Sequence, residues 1–561
     1  MADRAAIQRR FKEAQQIRQP WEPLWQELTD NLCPNRSFWD GEAQEGQKPA
    51  YKIFDSTGPN ALRILVDGYQ GYRISAAGNW FALGMEDDRR QRAPGVAQHL
   101  EMRTRILYAE FARSNLYDAA NEFITDAASI GTTVVLSREA AGSRRLIYQT
   151  RHMRECYIAE DRDGNVDTVF RQFRITNRQM KQEWPDTLSA QRKLMVNDNP
   201  DGMATVLHVV CPRDDAQYGR IDGRNKPWAS VYLDMGCTDG EALDEGGYDS
   251  FPYLVWRWRK VAGELYGRSP AYDALADVLM SNQMSRTLMI AGQTAAQPMW
   301  NIPVEMKGME RIVPNGRNYY TSPQSVISAV NSGQNYPIGK DQSQEIKAAI
   351  RDAFRTRIFL LMEQLENRTD ITATEIRERK TEMAALNGAV DGRLDTEMLR
   401  PLIARADMIC ERNGLYPEAP PAMKGGRMKV EFRGPLAALQ RRYHQSQGLT
   451  AGLQFAAAVG QIRPETQDNF DWDDVTRLGW EMEGAPASSM KDAATVLKLR
   501  QLRAKALQAQ QEAEQAAAQG AELAKNADKL NQPLNQDSML AGIAKASAKA
   551  PAPQPSRGVS T

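Results

Sequence analysis

The 561-residue chain has five cysteines and four histidines, and neither set clusters. Cys33, Cys156, Cys211, Cys237 and Cys410 are odd in number and form no CxxC pair, which excludes a disulfide framework and a zinc ribbon. His99, His152, His208 and His444 stand singly, so there is no HExxH. Neither sign of charge is in excess, because 71 Lys and Arg offset 71 Asp and Glu. That balance argues against a protein that grips nucleic acid or anionic lipid through bulk charge. Long apolar runs are missing too. The uncharged stretch 287–304 contains Gln293, Gln297, Pro298, Asn301 and Pro303, too many polar groups and prolines for a membrane-spanning helix. The amino terminus is charged and glutamine-rich where a signal peptide needs an apolar segment. With the cysteine pattern, this predicts a reducing, cytosolic compartment.

Catalytic motifs are equally scarce. A phosphate loop needs the spacing GxxxxGK[ST]. The nearest approach, GQNYPIGKD at 333–341, has five residues between its glycines, loses an amide at Pro337 and carries Asp341 where a hydroxyl belongs. There is no GxSxG. His152 lies close to Cys156, but ordinary packing explains a single pair of this kind better than a nucleophile does. Asp391 and Asp395 fall near a helix start, where the helix dipole accounts for them. DRDGNVD at 161–167 has glycine at the fourth place of a calcium loop and Gln172 at the twelfth, so a hairpin turn is the better reading. No cofactor or metal is expected.

The residues that remain describe an ordinary globular chain, 42% hydrophobic and 25% charged, with length for roughly three or four domains. Trp21, Trp25, Leu28 and Leu32 predict a first helix, ended by Pro34. DSTGP at 55–59 opens a second helix through Leu62, Leu65, Val66 and Tyr69, running toward Gly78. WFAL at 80–83 reads as a strand. Helices follow at 96–113 and 116–130, divided at Ser114-Asn115 and stopped at Gly131, and TTVVL at 132–136 is a buried strand. From there to about 260 the period shifts toward two. Strands are expected at 145–149, 155–160, 166–175, 205–211, 229–234 and 253–258, mainly antiparallel, with a helix at 177–195.

Helix returns at Ser269-Pro270 and continues to about Thr294. Its alanine-rich part, 287–297, suits packing either within the subunit or between subunits. A Pro/Gly-rich insertion with short β-like runs at 317–321 and 325–330 fills 298–340. Ile346, Ile350, Phe354, Ile358, Leu361 and Leu365 then form one apolar seam over about six turns. Lys347, Arg351 and Arg355 make a basic stripe beside it, suited to a solvated face, to DNA or to acidic groups on a neighbouring subunit. TATE at 372–375 is a capping box opening a helix to about Leu386. The helix breaks over 387–392 and resumes through Leu394, Met398, Leu402 and Ile409 to Gly414, kinked at Pro401. Beyond 436 the chain is helical again. From 490 to about 530 it is rich in Ala, Gln, Glu and Lys, which implies a partner helix.

An ordered series of segments resembles the portal proteins, or head-to-tail connectors, of short-tailed bacteriophages. The series is WQELTDNLCP at 25–34, DSTGPNALRILVDG at 55–68 with NWFAL at 79–83, ARSNLYDAANEF at 112–123 with IGTTVVL at 130–136, RWRKVAGELYGRSPAYDAL at 257–275, and TATEIRERKTEMAALNGAVDGRLDTEMLRPLIARADMICERNG at 372–414. It covers roughly residues 20–445. The resemblance implies an α+β, mainly α, portal fold whose copies, about twelve, close into a ring with an axial channel. It further implies a wing over 1–262, stem helices at 263–300 and 341–369 around a clip at 301–340, and a wing return over 370–435. A crown with a helical barrel would cover 436–530, followed by a disordered tail at 531–561.

In that family the ring sits in the virion, at one capsid vertex, and is assembled in the host bacterial cytoplasm. Its implied partners are further copies of itself, capsid and scaffolding proteins, the terminase packaging motor, tail adaptors and the double-stranded DNA that passes through; no membrane and no enzymatic activity are implied. Position within the family pattern assigns Asn387, Gly388, Asp391 and Arg393 to a tunnel loop near 387–394. Arg311, Arg317, Tyr319 and Tyr320 are assigned to clip contacts with adaptor or motor. The alternatives are another virion structural protein, such as a tail adaptor or tube component, and, with less support, a nucleic-acid-processing enzyme.

Overall fold

The computed structural model describes residues 4–37, 53–76, 78–140, 145–213, 222–237, 242–297, 299–312, 317–320, 322–323, 326–329, 336–357, 359, 388–432, 472–482, 490–491 and 493–529. The chain divides into a unit over residues 1–487 and a second over 488–561. The helix expected up to about Leu386 and the disordered tail lie outside the described residues, and the crown falls there in part.

Helix α1 (Arg4–Arg18) was not foreseen; its buried positions Ile7, Phe11, Ala14 and Arg18 are three or four apart and include only two large apolar residues. α2 (Glu22–Leu32) follows with Pro23 in its first turn and Trp25, Leu28 and Leu32 buried, as expected. α3 (Thr57–Arg73) begins where the Asp55 carboxylate accepts the Thr57 amide at 3.2 Å. It ends short of Gly78. Strand β1 (Phe81–Met85), α4 (Val96–Arg113) and α5 (Leu116–Ile130) match the predicted order. The Ser114-Asn115 break is held by Asn115, whose side-chain amide exchanges hydrogen bonds of 2.7 and 2.9 Å with the Tyr148 backbone. α5 stops at Gly131, in left-handed geometry at φ +89, and the chain turns directly into β2 (Thr132–Glu139).

β2 is the centre of a three-stranded antiparallel sheet, flanked by β3 (Leu146–Arg151) and, much later in sequence, β9 (Tyr253–Arg257). Between them lies a five-stranded antiparallel meander of β4 (Cys156–Glu160), β5 (Val166–Thr176), β6 (Met203–Pro212), β7 (Trp228–Asp234) and β8 (Asp244–Tyr248). DRDGNVD is the β4–β5 hairpin turn, with Asp161 accepting the Asp163 and Asn165 amides. The single helix expected over 177–195 is two, α6 (Asn177–Glu183) and α7 (Ala190–Asp198). Pro185 disfavours helical geometry at Trp184 and so ends the first. α1 packs on the meander through Ile7, Phe11 and Ala14 against Tyr157, Phe170, Leu207 and Val231.

α8 (Pro270–Ala296) starts with proline in its first turn, as predicted. A short ribbon of β10 (Trp300–Asn301) and β11 (Ser328–Ala329) follows; the run at 317–320 carries no regular structure. α9 (Tyr336–Ala353) packs along α8. It does not continue unbroken along the apolar seam, because the chain turns at 354–355 before helical residues 356–357.

Residues 388–393, expected as a break, are helical, and they lead through a π-helical turn at Leu394–Leu399 into α10 (Arg400–Arg412). The π turn lies directly ahead of Pro401, where the kink was expected. Pro401 has no N–H to give the Glu397 carbonyl, and the turn ahead of it is widened so that the Arg400 amide reaches back to Asp395. Strand β12 (Met428–Phe432) then pairs antiparallel with β1, Phe432 opposite Phe81. α11 (Trp472–Met482) completes the described part of this unit. In the second unit, α12 (Ala493–Lys529) is one helix of 37 residues with Leu497, Leu502 and Leu507 exposed.

The largest core of the first unit joins several of its elements: Trp25 of α2, Tyr69 of α3, Phe123 of α5, Trp256 of β9 and Leu402 of α10 all belong to it. Each such buried side chain contributes about 1.5–3 kcal/mol of transfer free energy. Two predictions follow from this packing. A Cβ at Gly131 would meet the Gly267 backbone and sit at a φ that L residues avoid, so Gly131→Ala is expected to lower stability by about 3 kcal/mol or more in denaturant unfolding. Asp126 is buried on α5, and burial raises its carboxyl from 3.8 to about 6 although Arg36 lies 2.7 Å away. The folded state therefore keeps a proton that the unfolded chain releases, and stability falls as pH rises from about 4 to 6. Relative to Asp126→Asn, the parent chain should lose about 3 kcal/mol across that window, read from unfolding midpoints at each pH.

Candidate functional site

Three groups of residues carry the sequence-based site expectations, and they lie in different parts of the molecule. The first is the stretch after α8. Arg311 and Asn318 clasp each other, with the Arg311 amide donating to the Asn318 side-chain oxygen at 2.7 Å and the Asn318 side-chain amide donating back to the Arg311 carbonyl at 3.1 Å. This closure sets Arg311, Arg317, Tyr319 and Tyr320 close along one exposed segment. Tyr319 is 82% exposed, Val304 89% and Met309 72%, with Trp300 and Ile312 also open to solvent. Aromatic, apolar and arginine side chains left uncovered together are the composition of a contact surface.

The second group is the basic stripe, and the structure divides it. Lys347 lies 3.4 Å from Asp55, the residue that starts α3. Burial alone would push the Asp55 carboxyl up; hydrogen bonds from Ser281 and Thr57, together with the Lys347 charge, bring it below its usual value. Arg351 is exposed and lines a polar cleft of about 430 Å³ with Asp55, Thr57, Asn60, Gln344 and Lys347. Arg355 no longer belongs to the helix. It lies in the turn after α9 at φ +53, the sole non-glycine residue with positive φ among the described residues. A three-residue stripe at spacing four requires a helix through all three, and α9 ends at Ala353.

The third group is the helical segment 388–393. Asn387 lies outside the described residues, and Gly388 is exposed. Asp391 accepts a hydrogen bond from the Tyr69 hydroxyl at 2.5 Å and lies 3.9 Å from Nε of Arg73. Arg73 pairs with Asp395. Arg393 pairs with Glu397 at 2.6 Å, and Glu397 in turn holds Arg257 at 2.7 Å. Arg257 also pairs with Glu160 at the end of β4, where Lys260 joins it. Burial raises the carboxyls of both Asp391 and Asp395, and Arg73 offsets part of that. The helix-dipole explanation of these two aspartates is therefore insufficient, since both are bound to side chains of α3.

Tyr69, Arg73, Arg257 and Glu397 were missed by sequence reasoning. A signal for one of them existed: Arg73 follows Tyr69 by four on the buried face of α3, a polar residue continuing an apolar stripe. His152 and Cys156 do not form a nucleophile pair. The His152 ring contacts the Arg36 carbonyl and the Arg154 amide, and burial lowers it to about 4 while raising Cys156 to about 12. Among the described residues, no helix is long and apolar enough to cross a membrane.

Comparison with known proteins assigns the chain. The family described as bacteriophage head to tail connecting protein matches residues 4–490. A probable portal protein of Bordetella phage BPP-1 is 30% identical over 527 residues, spanning 91% of this chain and 93% of its own length. The portal protein of Salmonella phage epsilon15 is 29% identical over 525 residues, spanning 90% and 92%. Among solved structures, a chain from the virion of a native gene transfer agent particle aligns over 73% of this chain and 92% of its own at a TM-score of 0.30 and 11% identity, too slight a likeness to carry the fold. With the family covering nearly all of the chain and two full-length relatives agreeing, this protein belongs to the bacteriophage head-to-tail connecting proteins.

Proposed function

We propose that the protein is the portal subunit of a phage virion, closing with about eleven further copies into a ring at one capsid vertex through which DNA is packaged and ejected. The observation that carries this is the family match over residues 4–490. In this reading residues 1–262 and 370–435 form the wing, α8 and α9 the stem, 301–340 the clip and 436–530 the crown. The uncovered Met280, Met289 and Ile290 of α8 support it, because a single chain leaves them in water and a neighbouring copy would cover them. α12 fits a helical barrel, where equivalent helices from other copies would cover Leu497, Leu502 and Leu507.

The clip surface of Arg311, Arg317, Tyr319 and Tyr320 would receive a terminase motor during packaging and tail adaptors afterwards. The wing would meet capsid and scaffolding proteins. Asn387 and Gly388 keep the tunnel-loop assignment, whereas Asp391 and Arg393 take the role of its root, since their side chains are engaged in ion pairs. Arg351 is the member of the basic stripe best suited to meet DNA or a neighbouring subunit, because Lys347 is tied to Asp55. The protein contributes no chemistry in this reading; a separate ATPase supplies the work.

Native mass spectrometry of the purified chain is expected to show a closed particle near 750 kDa, about twelve protomers of 62.9 kDa. A stable monomer, or an open filament, overturns the portal reading. Replacing Tyr319 and Tyr320 together by alanine should leave that particle intact while weakening adaptor binding about tenfold or more, measured by pull-down against tail extract.

A further inference from the structure

The chain on either side of residues 360–387 comes to the same short stretch of α3. On the incoming side α9 ends at Ala353, Phe354 is fully buried, and the Phe359 ring lies on Gly68 so closely that a Cβ there would overlap it. On the outgoing side the Tyr69 hydroxyl holds Asp391 and Arg73 holds Asp395. Gly68, Tyr69 and Arg73 therefore receive both flanks within six consecutive positions of one helix.

Two further details belong to this junction. Nothing in the local sequence ends α9, since residues 341–359 contain neither glycine nor proline and the apolar seam runs on. Yet Arg355 takes the left-handed conformation usually left to glycine at a helix end. Its charge acts on Asp391 and Tyr69, with Asp273 and Arg259 also within reach. Arg73, for its part, is buried with its Nε making no hydrogen bond, 3.9 Å from Asp391. Arg73 thus meets two carboxylates, Asp391 and Asp395, of the root, while the charge of Arg355 acts on Asp391 and that of Arg400 on Asp395. A buried cluster of balanced charge loses much when one partner is removed.

We propose that α3 is the common seat for both flanks, with Tyr69 and Arg73 acting as positioning residues that hold the helical root 388–399 while Gly68 receives the Phe359 ring beyond α9. The consequence for DNA rests on the portal reading, in which this root leads to the channel-narrowing segment; the seat itself does not. Loosening it would let the root move against the wing without unfolding the wing.

The test uses the full-length chain with Tyr69→Phe, Asp395→Asn, both together, and the charge exchange Arg73→Asp with Asp395→Arg. Three readouts are taken: native mass, hydrogen exchange by peptide, and DNA retention in particles assembled with each variant. The expected result is an unchanged oligomer and amides of 388–399 exchanging about tenfold faster in the double variant. Peptides over 119–136 should keep their parent rates, DNA retention should fall, and the charge exchange should recover part of the protection. Unchanged exchange at 388–399, or equal acceleration throughout the wing, overturns the seat. Faster exchange at the root with undiminished DNA retention overturns the consequence for DNA and upholds the seat. Absence of an oligomer from the parent chain is a failure of the portal reading alone, and the exchange comparison still decides the seat. Tyr69→Phe removes only a hydroxyl, so a folded variant is available even where the charge changes are severe.

Discussion

Buried guanidinium groups tie distant parts of the first unit together. Arg18, Arg73, Arg103, Arg192, Arg257 and Arg405 are all less than a tenth exposed, and each joins segments that are distant in the chain. Arg18 at the end of α1 donates to the carbonyls of Met153, Arg154 and Cys156 and to the Tyr157 hydroxyl. Arg103 of α4 forms a bidentate pair with Asp407 of α10 at 2.7 and 2.8 Å. Arg192 does the same with Asp234 across the meander, and Arg405 reaches the Ser137 and Ser250 carbonyls. Taking such a charge out of water is costly, and the cost is recovered only when its planar set of donors finds matching acceptors. Apolar packing accepts many near-equivalent arrangements; a buried guanidinium tolerates few. The late helix α10 is therefore directed to one place on the early helices and sheets.

The elements were readable from the chain where a single local rule decided them. Proline and capping residues placed α2 and α8, Gly131 closed α5, and alternation located most strands. The misreadings come from rules that compete. Gly388 and Gly392 look like a break, but Val390 and Leu394 are buried and carry a helix through them. The seam through Phe354 looks continuous in sequence, but the chain turns at 354–355. β8 and β12 have no run of β-formers to announce them: DEGGY is held by pairing with β7 and MKVEF by pairing with β1. The contact surface was half legible, since Tyr319 and Tyr320 stand out in sequence while the Arg311–Asn318 clasp does not. Buried arginines were least visible, because composition counts them as surface charge. Their mark is positional: Arg103 lies between Leu100 and Leu107, and Arg405 between Leu402 and Ile409, on buried helix faces.

A connector has to be rigid where it is held and uncovered where it is joined. The core of the first unit meets the first need through a large apolar cluster with ion pairs across it. The surface of α8 and of the segment after it meets the second, with large apolar side chains exposed in sequence from Leu279 to Ile312. Zero net charge suits the same division, because tight phosphate binding at many points would impede DNA in transit, and many of the cations that might provide it are committed to internal carboxylates.

The pairing of β1 with β12 has a consequence in time. Phe81 and Phe432 are about 350 residues apart, and at about 5–20 residues per second of synthesis roughly 20–70 s separate the appearance of the two strands at the ribosome. Until then β1, which has no other strand partner among the described residues, presents an open edge of buried-type residues. Completion of this two-stranded sheet is thus a late, long-range event, and a nascent chain stalled anywhere in the intervening stretch would be exposed to misassociation along that edge.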